Sequence, residues 1–305
     1  MSSWVLRAAV SVTVAAVLLM FIPLDAVLEA LVRVSLWTWG VSLAIFFAGH
    51  YLNALKLRLL LGPHSISVST CVQAQYAGLA ANLSLPGVAG GDLVRGAYLV
   101  PTLGTRRVAL ASIADRVVDT LTLLLLAAVA LPIAGMPPAI AGIVRTSGWW
   151  LVLVALGALL VTAAVVRFRK HAALLQKLVQ IWVDVTARPS ALAGAAAISL
   201  LVQAAFVMTN VWLARQVGVA TTMAAWFVAW PLSKLIAILP ISLGGIGVRE
   251  AALVSLMAPY GAAREAVLAS GILWQTVLTV SGLAGLLVTQ LLRKSTPAPR
   301  AHTLP

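Results

Sequence analysis

Eight charged residues stand in or beside stretches that are otherwise apolar: Asp92, Arg95, Asp115, Arg116, Asp119, Lys234, Arg249 and Glu250. A charge at the centre of a bilayer costs about 2.5–3.5 kcal/mol on insertion scales, so such groups must be paired, wetted or used. Arginine grips phosphate through two parallel N–H bonds. Carboxylates beside it either neutralise it or carry a coupling proton or cation. Metal chemistry is not expected. Cys71 is the single cysteine, and His50, His64, His171 and His302 lie far apart without ligand spacing. No phosphate-loop sequence for ATP hydrolysis is present. The expectation is therefore no metal, no cofactor and no enzyme.

Two of the charged residues share a motif. The first copy reads Leu85-Pro86-Gly87-Val88-Ala89-Gly90-Gly91-Asp92-Leu93-Val94-Arg95. The second reads Leu239-Pro240-Ile241-Ser242-Leu243-Gly244-Gly245-Ile246-Gly247-Val248-Arg249. Both are L-P-x-x-x-G-G-x-x-V-R. Gly90-Gly91-Asp92 reads as a helix start with Asp92 as N-cap, and Gly244-Gly245 as the start of a partner half-helix. Helix N-termini expose unpaired N–H groups and favour anions. Arg95 and Arg249, a turn or so into those half-helices, would complete a phosphate site with Arg116. The competing reading is local pairing, for instance Asp92 with Arg95 at i,i+3.

Asp115 and Asp119 share a helix face at i,i+4 and either position Arg116 or Arg95, carry a coupling ion, or only neutralise charge. Glu250 follows Arg249 directly, which points the two side chains apart, so its partner would be Lys234 or a proton. Lys234 lies in the second broken stretch and either faces the site or snorkels to the outer surface. Asn82 and Ser84 flank the first break. Their default role is to satisfy freed backbone groups, with Asn82 also a candidate headgroup ligand.

The elements that must position these residues are membrane helices. The chain is 62% hydrophobic and 10% charged, against about 25% charged in soluble domains. Apolar runs at 5–22, 36–55, 117–131, 149–166, 191–213 and 266–292 are long enough, or nearly so, to cross about 30 Å of hydrocarbon. The first run reads as a retained helix rather than a cleaved signal, since no A-x-A site follows it. The net charge of +13 does not point to nucleic acid, because the basic residues sit in loops beside spans. Lys56/Arg58, Arg106/Arg107, the group at 167–188 and the 293–300 tail mark the cytoplasmic side, with both termini there. The loops at 23–35 and 132–147 and near Arg215 are poor in cations and read as external.

That sidedness requires 66–100 and 223–260 each to leave and return on one face, as re-entrant hairpins. Irregular backbone survives at that depth only under protein or beside a water-filled cavity. With two weaker matches (26–32 with 173–179, 110–112 with 268–270), the chain reads as an inverted repeat. The predicted fold is an all-α polytopic membrane protein. It comprises helix, helix, re-entrant hairpin and helix, twice over, with about six full spans plus two hairpins. Residues 1–132 form the first repeat, 133–147 an external linker, 148–292 the second repeat and 293–305 a disordered cytoplasmic tail. Paired Gly/Pro breaks in inverted repeats point to the binding site of secondary transporters. Within the second repeat, 169–186 is amphipathic and reads either as a helix in the headgroup layer or as a packed connector.

The ordered set Asn82-x-x-x-Pro86, Gly91-Asp92-x-x-Arg95, Asp115-Arg116-x-x-Asp119 and Gly244-Gly245-x-Gly247-x-Arg249-Glu250 resembles the lysylphosphatidylglycerol synthase transmembrane region family. This is the flippase-like membrane domain of bacterial multiple peptide resistance factors. The resemblance covers about 36–292. Members usually carry Glu-Arg where this chain has Asp115-Arg116. The resemblance implies movement of anionic, aminoacylated or polyprenyl-phosphate lipids between leaflets of a bacterial inner membrane. The soluble synthase domain of full-length members is expected to be absent, so the synthase activity does not carry over. The alternatives are a carrier of a small soluble anion, a lipid-phosphate enzyme or a non-transporting scaffold. Membrane lipids are the expected partners, nucleic acid is not, and a homo-oligomer is open.

Overall fold

The computed structural model describes residues 32, 34–82, 89–135, 187–238 and 247–295. The predicted spans at 5–22 and 149–166, the amphipathic 169–186 segment, the linker and the tips of both broken stretches lie outside them. All described secondary structure is helical, which matches the predicted all-α class.

Eight α-helices follow in two sets. The first set is α1 (Leu36–Leu61), α2 (Val68–Ala81), α3 (Ala89–Leu103) and α4 (Thr105–Ala134). The second is α5 (Pro189–Gln216), α6 (Met223–Ile238), α7 (Val248–Met257) and α8 (Arg264–Ser295). Each set runs long, short, short, long, and a 3₁₀ turn at Ala258–Tyr260 follows α7.

Local sequence sets several of these boundaries. Ser35 caps α1 by accepting from the Thr38 N–H at 3.1 Å, and Ser67 caps α2 by accepting from Thr70 at 3.1 Å. Pro189 opens α5, where its missing N–H costs nothing. Gly247, at φ 82°, precedes α7 in a conformation that a side chain would strain.

Among the described residues, three helices are apolar and long enough to cross a membrane: Thr105–Ala134, Pro189–Gln216 and Arg264–Thr289. Their outer faces are apolar and open, with Leu121, Leu125 and Ile133 on α4, Leu201 on α5 and Leu287 on α8 all more than half exposed. In water such faces would drive aggregation, whereas lipid tails solvate them. α4 starts well before its predicted apolar run at 117, so Asp115 and Asp119 lie inside a continuous helix rather than at its mouth.

The interior holds two apolar clusters. The larger joins Phe46 of α1 to Val202, Phe206, Trp226, Trp230, Leu253 and Trp274 of the second set. The smaller joins Leu57 and Leu61 of α1 to Ala74, Leu99, Val108 and Ala111. Exchanging the sets maps the principal packing onto itself. α4 on α6 becomes α8 on α2, α1 on α4 becomes α5 on α8, and α1 on α8 becomes α5 on α4. Along the α1–α5 contact, Gly49 faces Phe206 and Val202 while Leu59 faces Gly194. Numbers fall on α5 as they rise on α1, so these two helices run antiparallel.

Candidate functional site

Two of the hollows among the described residues bear on the site. The larger, about 800 Å³, is an open groove between the starts of α4 and α5, lined by Arg106, Arg107 and Arg188. It contains no carboxylate and neither copy of the motif. The smaller, about 260 Å³, lies among α1–α6, α8 and Arg249 of α7, and the chemistry gathers there.

One wall is ionic. Lys56 is 1% exposed, and its Nζ lies 2.9 Å from Asp115 Oδ1 and 2.5 Å from Asp119 Oδ1. Arg95 of α3 reaches the other Asp115 oxygen at 2.9 Å and Asp92 at 3.3 Å. Arg116 Nε donates to Asp92 at 2.6 Å. Gln75 of α2 accepts from Arg95 at 3.3 Å, and its amide lies 3.0 Å from His50 Nδ1. The Ser199 hydroxyl of α5 donates to Asp119 at 2.6 Å. This lattice ties α1, α2, α3, α4 and α5 together. Charges this deep persist because nearly every one faces an opposite charge.

Another part of the lining is aromatic. Phe46, Phe206, Trp274 and Trp230 follow one another with ring centres 5.2–5.6 Å apart. Arg249 lies over Trp230, its Cζ 5.6 Å from the ring centre, where the ring face attracts a cation. Arg249 pairs with the neighbouring Glu250 and reaches Gln275 of α8 at 3.3 Å. Lys234, one turn after Trp230 on α6, donates to Gln203 of α5 at 2.8 Å.

The approach of α2 to α3 explains two glycines. A Cβ on Gly91 would meet Gly78 O at 2.5 Å and would also collide with Asn82 Oδ1. A Cβ on Gly78 would meet Gly91 O at 2.8 Å. Asn82 Oδ1 accepts from the Gly91 N–H at 2.9 Å, the backbone role read from its position at the break.

The described candidates largely converge. Asp92, Arg95, Asp115, Arg116, Asp119, Lys234 and Arg249 line one cavity with Asn82 and Gly91, and Gly90 is buried beside it. Gly244 and Gly245 lie outside the described residues.

Several details differ from the sequence reading. α3 begins at Ala89, so Asp92 is not an N-cap but sits in the first turn, with its carboxylate drawn to Arg116 and Arg95. α7 begins at Val248 after Gly247, so Arg249 lies at the mouth of its helix and Arg95 two turns into its own. Glu250 does not point away from Arg249. Its carboxylate folds back to the Gly247 N–H at 2.8 Å, which brings the other oxygen onto the guanidinium.

Lys56 does not flank a loop. It is buried in α1 because two carboxylates of α4 hold it there, and only Arg58 reaches the turn, donating to Ile66 O at 2.9 Å. A signal for it existed. His50, Asn53 and Lys56 recur every three residues on an apolar helix, and all three line the cavity. Gln75, Gln203 and Gln275 were also missed, since an isolated amide in an apolar run has no distinctive spacing.

An apolar helical bundle around a charged, half-aromatic cavity defines a polytopic membrane protein with an internal polar site. The family model described as "Lysylphosphatidylglycerol synthase TM region" matches residues 4–285. The chain belongs to this family, as the ordered motifs imply. Searches of curated proteins and of solved structures return no match.

Proposed function

We propose that the protein carries the headgroup of an anionic, phosphate-bearing lipid through this cavity, between the leaflets of a bacterial inner membrane, without covalent chemistry. The observation that carries the reading is the cavity's mixed lining, which combines cations and carboxylates with four aromatic rings in stacked and edge-on contact. A headgroup suits the charged side chains and the start of an acyl chain the aromatic ones. Asp115 lies ten residues past Thr105, about 15 Å along α4, which in this reading, with the hydrocarbon starting near Thr105, is the middle of a layer about 30 Å thick.

In this reading the two helix sets are an inverted repeat, α2–α3 and α6–α7 are re-entrant hairpins, and the antiparallel α1 and α5 are equivalent helices. Arg58, Arg106, Arg107 and Arg188 mark the cytoplasmic end, with both termini on that side. At that end Arg107 donates to Leu61 O at 2.8 Å, next to Gly62, which also faces Arg188. The charge of Arg95 is compensated by Asp115 and Asp92, so its main part is to hold the lattice, while Arg249 and Arg116 offer the ligand further cations.

The test is leaflet transfer of labelled lipids in proteoliposomes by the wild type and by Arg249→Gln. Transfer that falls at least about tenfold, the loss of one charge-assisted contact, supports the reading. Absence of transfer by folded wild type across phospholipids and polyprenyl phosphates rejects it. Uptake of a soluble anion instead would make the cavity a small-anion site.

A further inference from the structure

We infer that the cavity selects a singly charged phosphodiester headgroup, and that Lys234 is the residue that receives its charge. This rests on the proposed phosphate-bearing ligand and narrows it by charge.

The inference follows from pairing. Five cations face the cavity: Lys56, Arg95, Arg116, Lys234 and Arg249. Four carboxylates meet them. Asp119 is on Lys56, Asp115 on Arg95, Asp92 on Arg116 and Glu250 on Arg249. Among the described residues, five minus four leaves one positive charge, and the cation left over is Lys234. Among the described residues no carboxylate lies within ion-pair distance of it, and its Nζ is held at 2.8 Å by the neutral amide of Gln203.

Two further groups want an acceptor. The buried Nε–H groups of Arg95 and Arg249 have no hydrogen-bond partner among the described residues, although each guanidinium pairs through its terminal nitrogens. A buried N–H without a partner costs about 1–3 kcal/mol, which an incoming oxygen would recover.

A monoanion brings the cavity to neutrality. A zwitterion leaves Lys234 uncompensated and buries a second cation beside it. A dianionic phosphomonoester leaves one negative charge buried in a low-dielectric bundle, where uncompensated charge is expensive. The neighbours of Lys234 fit a lipid diester. Trp230, one turn earlier on α6, and Trp274 give an apolar surface for the glycerol backbone and first methylenes.

The test uses equilibrium binding to the purified full chain in detergent, so that it does not depend on transport. The probes are phosphatidylglycerol, phosphatidic acid at mildly alkaline pH, phosphatidylcholine, and deacylated glycerophosphoglycerol. Wild type should bind phosphatidylglycerol at least about tenfold more tightly than the other two lipids. Lys234→Gln should erase that preference, as should Gln203→Glu, which leaves the lysine in place and supplies it with a carboxylate. Gln203→Glu changes no cavity volume to speak of, so it serves if Lys234→Gln fails to fold. Equal binding of all three lipids by wild type, or a preference that survives in folded Gln203→Glu, overturns the inference. Glycerophosphoglycerol bound as tightly as the lipid would keep the charge selection but refute the lipid-carrier reading. Binding without leaflet transfer would do the same.

Discussion

Replacing Lys56 by methionine should destabilise the protein through charge rather than through packing. Methionine matches the lysine stem in length and flexibility, so the space is kept. What is lost is the ammonium that bridges Asp115 at 2.9 Å and Asp119 at 2.5 Å. Asp115 retains Arg95 at 2.9 Å, whereas Asp119 retains only the Ser199 hydroxyl at 2.6 Å. One carboxylate is left without a counter-charge. Breaking a buried pair costs about 3–5 kcal/mol. The Asp119 side chain is 23% exposed, which places the cost near the lower end, about 3 kcal/mol. That corresponds to a melting temperature lower by roughly 6–10 °C.

Thermal unfolding in detergent, followed by tryptophan fluorescence, measures the shift. Adding Asp119→Asn removes the orphaned charge while its amide oxygen still accepts from Ser199, so the double variant should recover most of the loss. The coupling between the two substitutions should be about 1–3 kcal/mol. A single variant that melts with wild type, or a double variant that melts below the single, would refute the reasoning.

Two other substitutions test the packing that shapes the cavity. Gly91→Ala should lower the yield of folded protein and cost about 1–3 kcal/mol, because the new methyl meets the Gly78 carbonyl at 2.5 Å and neither backbone has room to retreat; size-exclusion profiles and melting curves report it. Phe206→Ala should cost about 2 kcal/mol in the same melt, below the 3–5 of water-soluble cores, since lipid already solvates an unpacked ring and only the cavity cost remains. A Phe206 variant that melts at the wild-type temperature would mean that the Phe46–Phe206–Trp274 cluster contributes no packing energy.

Much of the fold was legible because the bilayer simplifies the code. An apolar run must be a helix where no water can bond the backbone, so 36–55, 191–213 and 266–292 read correctly as helices, though each runs longer. The extensions follow from what hydropathy cannot weigh. α1 continues through Lys56 and Arg58, and α4 begins at Thr105, because ion pairs make those charges tolerable inside the bundle. Pairing is a property of two helices, and a window along one helix does not register it.

The site was legible to the same depth. Repeated motifs located Arg95 and Arg249, and i,i+4 spacing located Asp115 and Asp119. Spacing along the chain says which residues share a face but not what that face meets. Arg95 and Arg249 occupy matching places in the motif yet stand in different company. Arg95 is enclosed by Asp115 and Asp92, while Arg249 is compensated by its neighbour and spread over Trp230. Lys56, 63 residues from Asp119, settles which of the carboxylates at the cavity remain without a counter-charge, and the answer among those described is none. The same accounting turns Lys234 from a residue that could snorkel to the surface into the one cavity cation without a described carboxylate partner. In the proposed reading, the residue that the pairing leaves over therefore matters beside the residues that the motif repeats.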